Sequence, residues 1–121
     1  MRIGLFRKRY TVRRFGRQEY GADGYGHAAY TDAEMLLNVQ PLTPNELKAL
    51  PEGERNTMRL KAYGSDRLAA ADEFGGTPGD RLFYNGLWHE CTSSSSWEGT
   101  PLAHYVSKFA LLPPHEQGEK P

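Results

Sequence analysis

The strongest constraint on the fold is a two-residue gap. Residues 81–84, Arg-Leu-Phe-Tyr, and 87–92, Leu-Trp-His-Glu-Cys-Thr, are separated by Asn85-Gly86. Asn-Gly supports the positive backbone angles whose twist suits a tight antiparallel hairpin, so the two runs should pair. A lone hairpin is at best marginally stable in water, so further strands must cover its apolar face.

The rest of the chain supplies them. Residues 9–15 alternate charged or polar side chains with Tyr10 and Val12, the period-two pattern of a half-buried strand. Residues 34–41 set Met35, Leu37 and Val39 against Glu34, Asn38 and Gln40, and Pro41 ends the run. Residues 55–64 set Met58, Leu60 and Ala62 against Arg59 and Lys61, and residues 102–112 give a final strand. Between them, Thr43 can cap a helix of about two turns, with Pro44 at its first position and Glu46 completing a capping box. Ser65 and the helix formers after it suggest a short helical turn over residues 65–74. Residues 16–32 hold four glycines and three tyrosines without periodicity, which reads as a long loop. The serine run 93–96 suits a bulge or loop tip in a hairpin arm.

Together these features predict a mainly β protein: a small six-stranded β-barrel or sandwich with one or two short helices and a long Gly/Tyr-rich loop. At 121 residues the chain reads as a single domain, 1–121, with its core over about residues 9–112 and a flexible polar tail over 113–121. No apolar run approaches the roughly 20 residues of a membrane helix, and the N-terminus lacks a signal-like segment, so a cytoplasmic setting is expected.

Charge is distributed unevenly. Arg2, Arg7, Lys8, Arg9, Arg13, Arg14 and Arg17 all precede the first acid, Glu19, so eight of the fifteen basic and all fifteen acidic residues follow, leaving the remainder at −7. The basic strand either resists edge-to-edge pairing or forms an interface. The tyrosines of the loop, Tyr20, Tyr25 and Tyr30, suit docking on a partner, where tyrosine is enriched.

Chemistry finds little purchase. On a strand, His89 and Cys91 share a face but stand about 7 Å apart, beyond hydrogen-bond reach without bending, and nothing adjoins Cys91 to lower its pKa. A packed cysteine is expected, with Asn85, Gly86, Trp88 and Trp97 as structural residues of the hairpin. The four histidines lie far apart, and neither a phosphate loop nor a dinucleotide fingerprint is present. No catalytic residue, metal or cofactor is expected. Two binding readings remain: a small nucleic-acid-binding barrel, in which arginines meet phosphates and tyrosines stack on bases, or a subunit whose charged segments set assembly register.

The order of these motifs carries more than any one of them. Gln40-Pro41, the turn Leu50-Pro51-Glu52-Gly53, Gly79-Asp80, Asn85-Gly86-Leu87-Trp88 and Trp97 follow one another in a way that resembles the head-closure, or stopper, proteins of tailed bacteriophages. The resemblance spans about residues 9–112. It implies a virion protein of the head–tail interface, assembled in the bacterial cytoplasm. Its subunits would form a homo-oligomeric ring that closes the DNA-filled head below the portal and its adaptor and docks the tail. Genomic DNA would pass without specific binding. Tail-terminator and collar rings are the alternatives within that architecture. Within that role, the length and tyrosines of the loop make Tyr20, Tyr25, His27 and Tyr30 candidate subunit or channel contacts, and the clustered charge makes Arg7, Lys8, Arg9, Arg13, Arg14 and Arg17 a candidate basic interface; the longer loop and the serine run 93–96 are not features of the resemblance.

Overall fold

A computed structural model describes residues 7–20, 26–52, 57–71, 77–97 and 104–121. Six antiparallel strands close into a barrel in the order β1-β2-β3-β6-β5-β4. They are β1 (Lys8–Tyr20), β2 (Gly26–Pro41), β3 (Arg59–Gly64), β4 (Arg81–Tyr84), β5 (Leu87–Trp97) and β6 (His104–Leu111), with a helix α1 (Pro44–Lys48) between β2 and β3. The chain is thus two three-stranded meanders, β1-β2-β3 and β4-β5-β6. Two seams join them. The β3–β6 seam runs from Arg59 opposite Ala110 to Gly64 opposite Tyr105, whereas β1 and β4 meet at Val12–Leu82 and Arg13–Arg81.

Alternation decides which side chains fill the barrel. Leu60, Ala62 and Gly64 of β3 are buried while Arg59, Lys61 and Tyr63 between them are not. Val12, Leu37, Leu60, Ala62, Leu68, Leu82, Cys91 and Phe109 form the core, with Tyr10, Met35, Val39 and Tyr84 packed against it. Met58, expected beside Leu60, precedes β3 and is 53% exposed. The expected hairpin is present: Asn85 at φ 53 and Gly86 at φ 80 join β4 to β5, with both turn residues left-handed as a type I′ turn requires. In β5 the register shifts between Cys91 and Ser93, and the serine run then continues the ladder against β6. That bulge lies at the start of the run, and no loop tip forms there.

Several segments differ from expectation. Of residues 16–32, the described ones, 16–20 and 26–32, are strand: β1 and β2 pair out to Tyr20 opposite Gly26, with an irregularity between Phe15 and Gln18, and residues 21–25 lie outside the described residues. Backbone pairing along a ribbon needs no buried face, so it leaves no period-two signal. Helix α1 has the expected capping box, with Thr43 Oγ1 accepting from the Glu46 amide and the Glu46 carboxylate accepting from the Thr43 amide, but spans five residues. Residues 65–71 form no helix. The Ser65 hydroxyl accepts from Arg7, and Leu68 drops into the core. Both polar groups of the Ala69 backbone are bound to Asp80, one by its carboxylate (2.9 Å) and one by its amide (2.8 Å). Gly79 allows this approach, because a Cβ there would stand 2.7 Å from the Ala71 nitrogen and 2.8 Å from the Cys91 carbonyl.

The terminal residues 113–121, expected as a tail with little to bury, lie across the outside of the barrel. They include a 3-10 turn at Pro114–Glu116. Their hydrogen bonds come from a side-chain amide and backbone carbonyls, which composition does not reveal.

Candidate assembly surfaces

Arg13 anchors a cluster of polar and aromatic side chains. It follows Val12, whose side chain fills the barrel, so it points outward, yet it is 4% exposed. Its guanidinium meets Asp32 in two-pronged fashion, Nε to Oδ1 at 2.7 Å and Nη2 to Oδ2 at 2.9 Å, and gives its remaining Nη1 to the Glu119 carbonyl at 2.8 Å. The guanidinium carbon lies 4.1 Å from the Tyr30 ring centre and 4.4 Å from that of Trp88. Trp88 in turn packs edge-on against Phe83 at 4.9 Å, Tyr30 lies 5.9 Å from Phe15, and Arg81 lies 4.9 Å from the Phe15 ring. Arg13 of β1 thus stands against both Tyr30 of β2 and Trp88 of β5, and Arg81 of β4 meets Phe15 of β1, each cation placed where a ring quadrupole attracts it. Hydrogen bonding from Arg13 holds the Asp32 carboxyl below its usual range, and the same bond raises the Arg13 pKa.

The other expected interface cations divide. Arg14 bonds to buried Asp80 at 3.2 Å and to the Arg67 carbonyl at 3.0 Å. Arg7 donates to Ser65 at 2.7 Å, and Arg9 lies 3.6 Å from Glu34 with both side chains exposed. Lys8 is exposed, and Arg17 lies on β1. The basic stretch of sequence is thus not one free positive stripe: Arg13 is buried, and Arg14, though exposed, is paired within the molecule. Arg13 in particular is no open interface residue, because Tyr30, Trp88 and the terminal segment cover it.

Of the tyrosine set, Tyr30 is 45% exposed and serves the cage around Arg13. Tyr20 and His27 lie on the paired strands, His27 opposite Glu19. Tyr25 lies outside the described residues. Trp88 is buried, and Trp97 ends β5 opposite His104.

Cys91 is a core residue. It is 1% exposed, its Sγ donates to the Ser93 carbonyl at 3.4 Å, and burial, aided by the nearby Asp80 charge, pushes its thiol up to about 12. His89 is equally buried, holds the Leu87 carbonyl through Nδ1 at 3.1 Å, and has its pKa lowered by burial. A thiol so raised and an imidazole so lowered form no thiolate–imidazolium pair at neutral pH. Among the described residues, no three His, Cys, Asp or Glu side chains are grouped to hold a metal ion.

Two open grooves mark the outer wall. One, of about 520 Å³, lies over β3, β6 and β5 beside α1, where Lys61 bonds Glu46 at 2.8 Å near Tyr63, Lys108, Ser95 and Ser96. The other, of about 380 Å³, is lined by Arg7, Arg9, Glu34 and the 53% exposed Leu36. Beyond Arg13, β1 leaves β4 and continues with β2 as a two-stranded arm. The five steps from Phe15 to Tyr20 correspond to about 17 Å of strand.

What sequence reasoning missed was the cage. Its signal was present as aromatic residues at outward positions, Phe15, Tyr30, Phe83 and Trp88, which need a cover that no expected element supplied. Comparison with protein-family models and with curated protein sequences finds no match to this chain.

Proposed function

We propose that this chain is a structural subunit of the neck of a tailed bacteriophage, one of a ring that closes the filled head below the portal and its adaptor and receives the tail. The observation that carries the reading is the pairing of a closed small barrel with the β1–β2 arm that outruns it. A ring of like subunits needs a body that keeps its shape and an element that reaches a neighbour, with head-to-tail contacts that close. The barrel supplies the first and the arm the second. The ordered motifs from Gln40-Pro41 to Trp97 support the same reading, and the exposed Leu36 beside Arg9 and Glu34 gives the outer wall a mixed apolar and charged face. The net negative charge beyond Glu19 lets a phosphate backbone pass a channel without sticking.

The test is an inventory of purified virions by mass spectrometry, with electron microscopy of the neck. Presence of the chain at the portal side supports closure, and a ring on the tail tube assigns it to the terminator class. Absence from virions overturns the reading. Deleting residues 21–28 should leave a folded monomer whose particles fail to retain DNA or join tails, and normal virions from that deletion would also count against it.

A further inference from the structure

Two neighbouring rows of residues cross the barrel wall where β5, β6 and β3 pair. In one row Ser93, Lys108 and Lys61 stand opposite one another, and in the next Ser95, Val106 and Tyr63 do. The rows lie about 7 Å apart, the rise of two residues along a strand. All of these residues except Ser93 line the open groove of about 520 Å³ beside α1, a volume within the roughly 300–1,000 Å³ of small-molecule sites.

The first row carries a charge that is not balanced. Lys61 and Lys108 face each other across the β3–β6 seam, an arrangement of like charges that costs a sheet stability. Glu46, the one acid among the described lining residues, is engaged through a single oxygen by Lys61 at 2.8 Å and by the Thr43 amide at 3.0 Å. Two lysines against one acid leave the lining at +1. Lys108 is exposed, and its ammonium has no partner among the described residues. Ser95 and Ser96 border the same space with hydroxyls that no described residue engages, and their short side chains leave it open.

The second row is apolar and aromatic. The half-buried Tyr63 ring is oriented by the Lys61 ammonium at 5.8 Å and by the His104 ring at 5.9 Å, and Val106 stands beside it. A cation with hydroxyl donors on one row and a ring on the next match the two ends of a single nucleotide. Its phosphate accepts charge-assisted hydrogen bonds, and its base has a face to stack on an aromatic ring.

We propose that this groove binds a mononucleotide, its phosphate held by Lys108 with the Ser95 and Ser96 hydroxyls and its base laid against Tyr63 and Val106. Duplex DNA does not fit the role, because its bases are already stacked on one another. The proposal stands apart from the neck reading, since it concerns the wall of a single barrel.

The test is a titration of the full-length chain, followed by its amide resonances in NMR, with adenosine monophosphate, inorganic phosphate and adenosine in parallel. Adenosine monophosphate at millimolar concentration should shift the Tyr63, Ser95, Val106 and Lys108 amides saturably. It should bind about tenfold more tightly than inorganic phosphate, the scale of one stacked base. It should also bind about tenfold more tightly than adenosine, the scale of a charge-assisted hydrogen bond. Lys108→Gln changes an exposed side chain and should weaken monophosphate binding about tenfold while leaving adenosine binding unchanged. Tyr63→Leu should weaken the binding of monophosphate and adenosine but not that of inorganic phosphate; should that variant fail to fold, the Lys108→Gln comparison decides alone. No saturable shift at these amides, or equal affinity in Lys108→Gln and the native chain, would overturn the site. Inorganic phosphate binding as tightly as the monophosphate would overturn the nucleotide, and a glutamate-rich peptide binding the groove more tightly than the monophosphate would overturn it in favour of an acidic protein partner.

Discussion

Arg13 meets the energetic problem of a buried cation by using every face of its guanidinium. The edge is matched to Asp32, the remaining Nη1 donor to the Glu119 carbonyl, and the two flat faces to Tyr30 and Trp88. Lysine carries the same charge but neither the fork nor the plane, so the exchange is not conservative at such a site. Arg13→Lys should lower stability by about 2 kcal/mol in urea unfolding, the scale of a lost charge-assisted hydrogen bond; a variant as stable as the native chain would show that the cage is not a stabilising unit. Cys91 makes the opposite case, a reactive group silenced by its surroundings. With its thiol pushed up to about 12, the thiolate fraction at pH 8 is roughly a thousandfold below that of an ordinary cysteine. Labelling by iodoacetamide in the folded chain should be slower by at least that factor and recover in denaturant, and rapid labelling of native protein would revive a catalytic reading of the hairpin.

At the scale of elements, the short helix α1 is stable because it is capped and tied rather than because it is long. Glu46 closes the capping box with Thr43 and also bonds Lys61 of β3 at 2.8 Å, so one carboxylate fastens the helix to the barrel wall. The Lys61 hydrogen bond, reinforced by the Thr43 amide, holds Glu46 down at about 2 against an ordinary 4.5. A depressed acid contributes stability that is complete above its unfolded pKa and is lost as pH falls through the folded one, here between about 4.5 and 2. Glu46→Gln should therefore cost about 1 kcal/mol at pH 6, and the gap to the native chain should close as pH approaches 2. A gap independent of pH would remove the carboxylate from this role. Capping residues, alternation and the Asn85-Gly86 turn were legible in the sequence because each is a local rule written in side chains. The β1–β2 arm was not, because its sequence carries no period-two pattern and what is seen to join its strands is backbone pairing. The irregular path through Leu68 was hidden for a related reason: residues 65–71 have good helical propensity, and the buried Asp80 carboxylate and the burial of Leu68 in the core override it. Nor could sequence place residues 113–121, whose hold on Trp88 depends on one side-chain amide and one carbonyl.

Across the whole molecule, the two meanders are closed by seams of unequal strength. The β3–β6 seam is paired along the full length of β3, and its side chains Leu60, Ala62 and Phe109 lie in the core. The β1–β4 seam is paired at Val12–Leu82 and Arg13–Arg81, and beyond it the side-chain bridges take over: Arg14 reaches Asp80 just ahead of β4, and Arg13 stacks on Trp88 of β5. Basic residues that the sequence presents as a charge cluster thus act here as clasps between the halves, which is why a dipolar chain need not present a dipolar surface. The C-terminal segment crosses the same region, bonding Arg13 from the first meander and Trp88 from the second through one carbonyl. A barrel built this way should open first where backbone pairing is shortest, since local openings follow the weakest cooperative unit. Native-state hydrogen exchange should accordingly find the amides joining β1 to β4 protected at least roughly tenfold less than those joining β3 to β6, a difference of about 1.4 kcal/mol or more. Arg13→Lys should widen that difference by loosening the β1–β4 side alone. Equal protection at both seams, or a variant that loosens both together, would mean that the barrel opens as a single unit and that the clasps add nothing local to its closure.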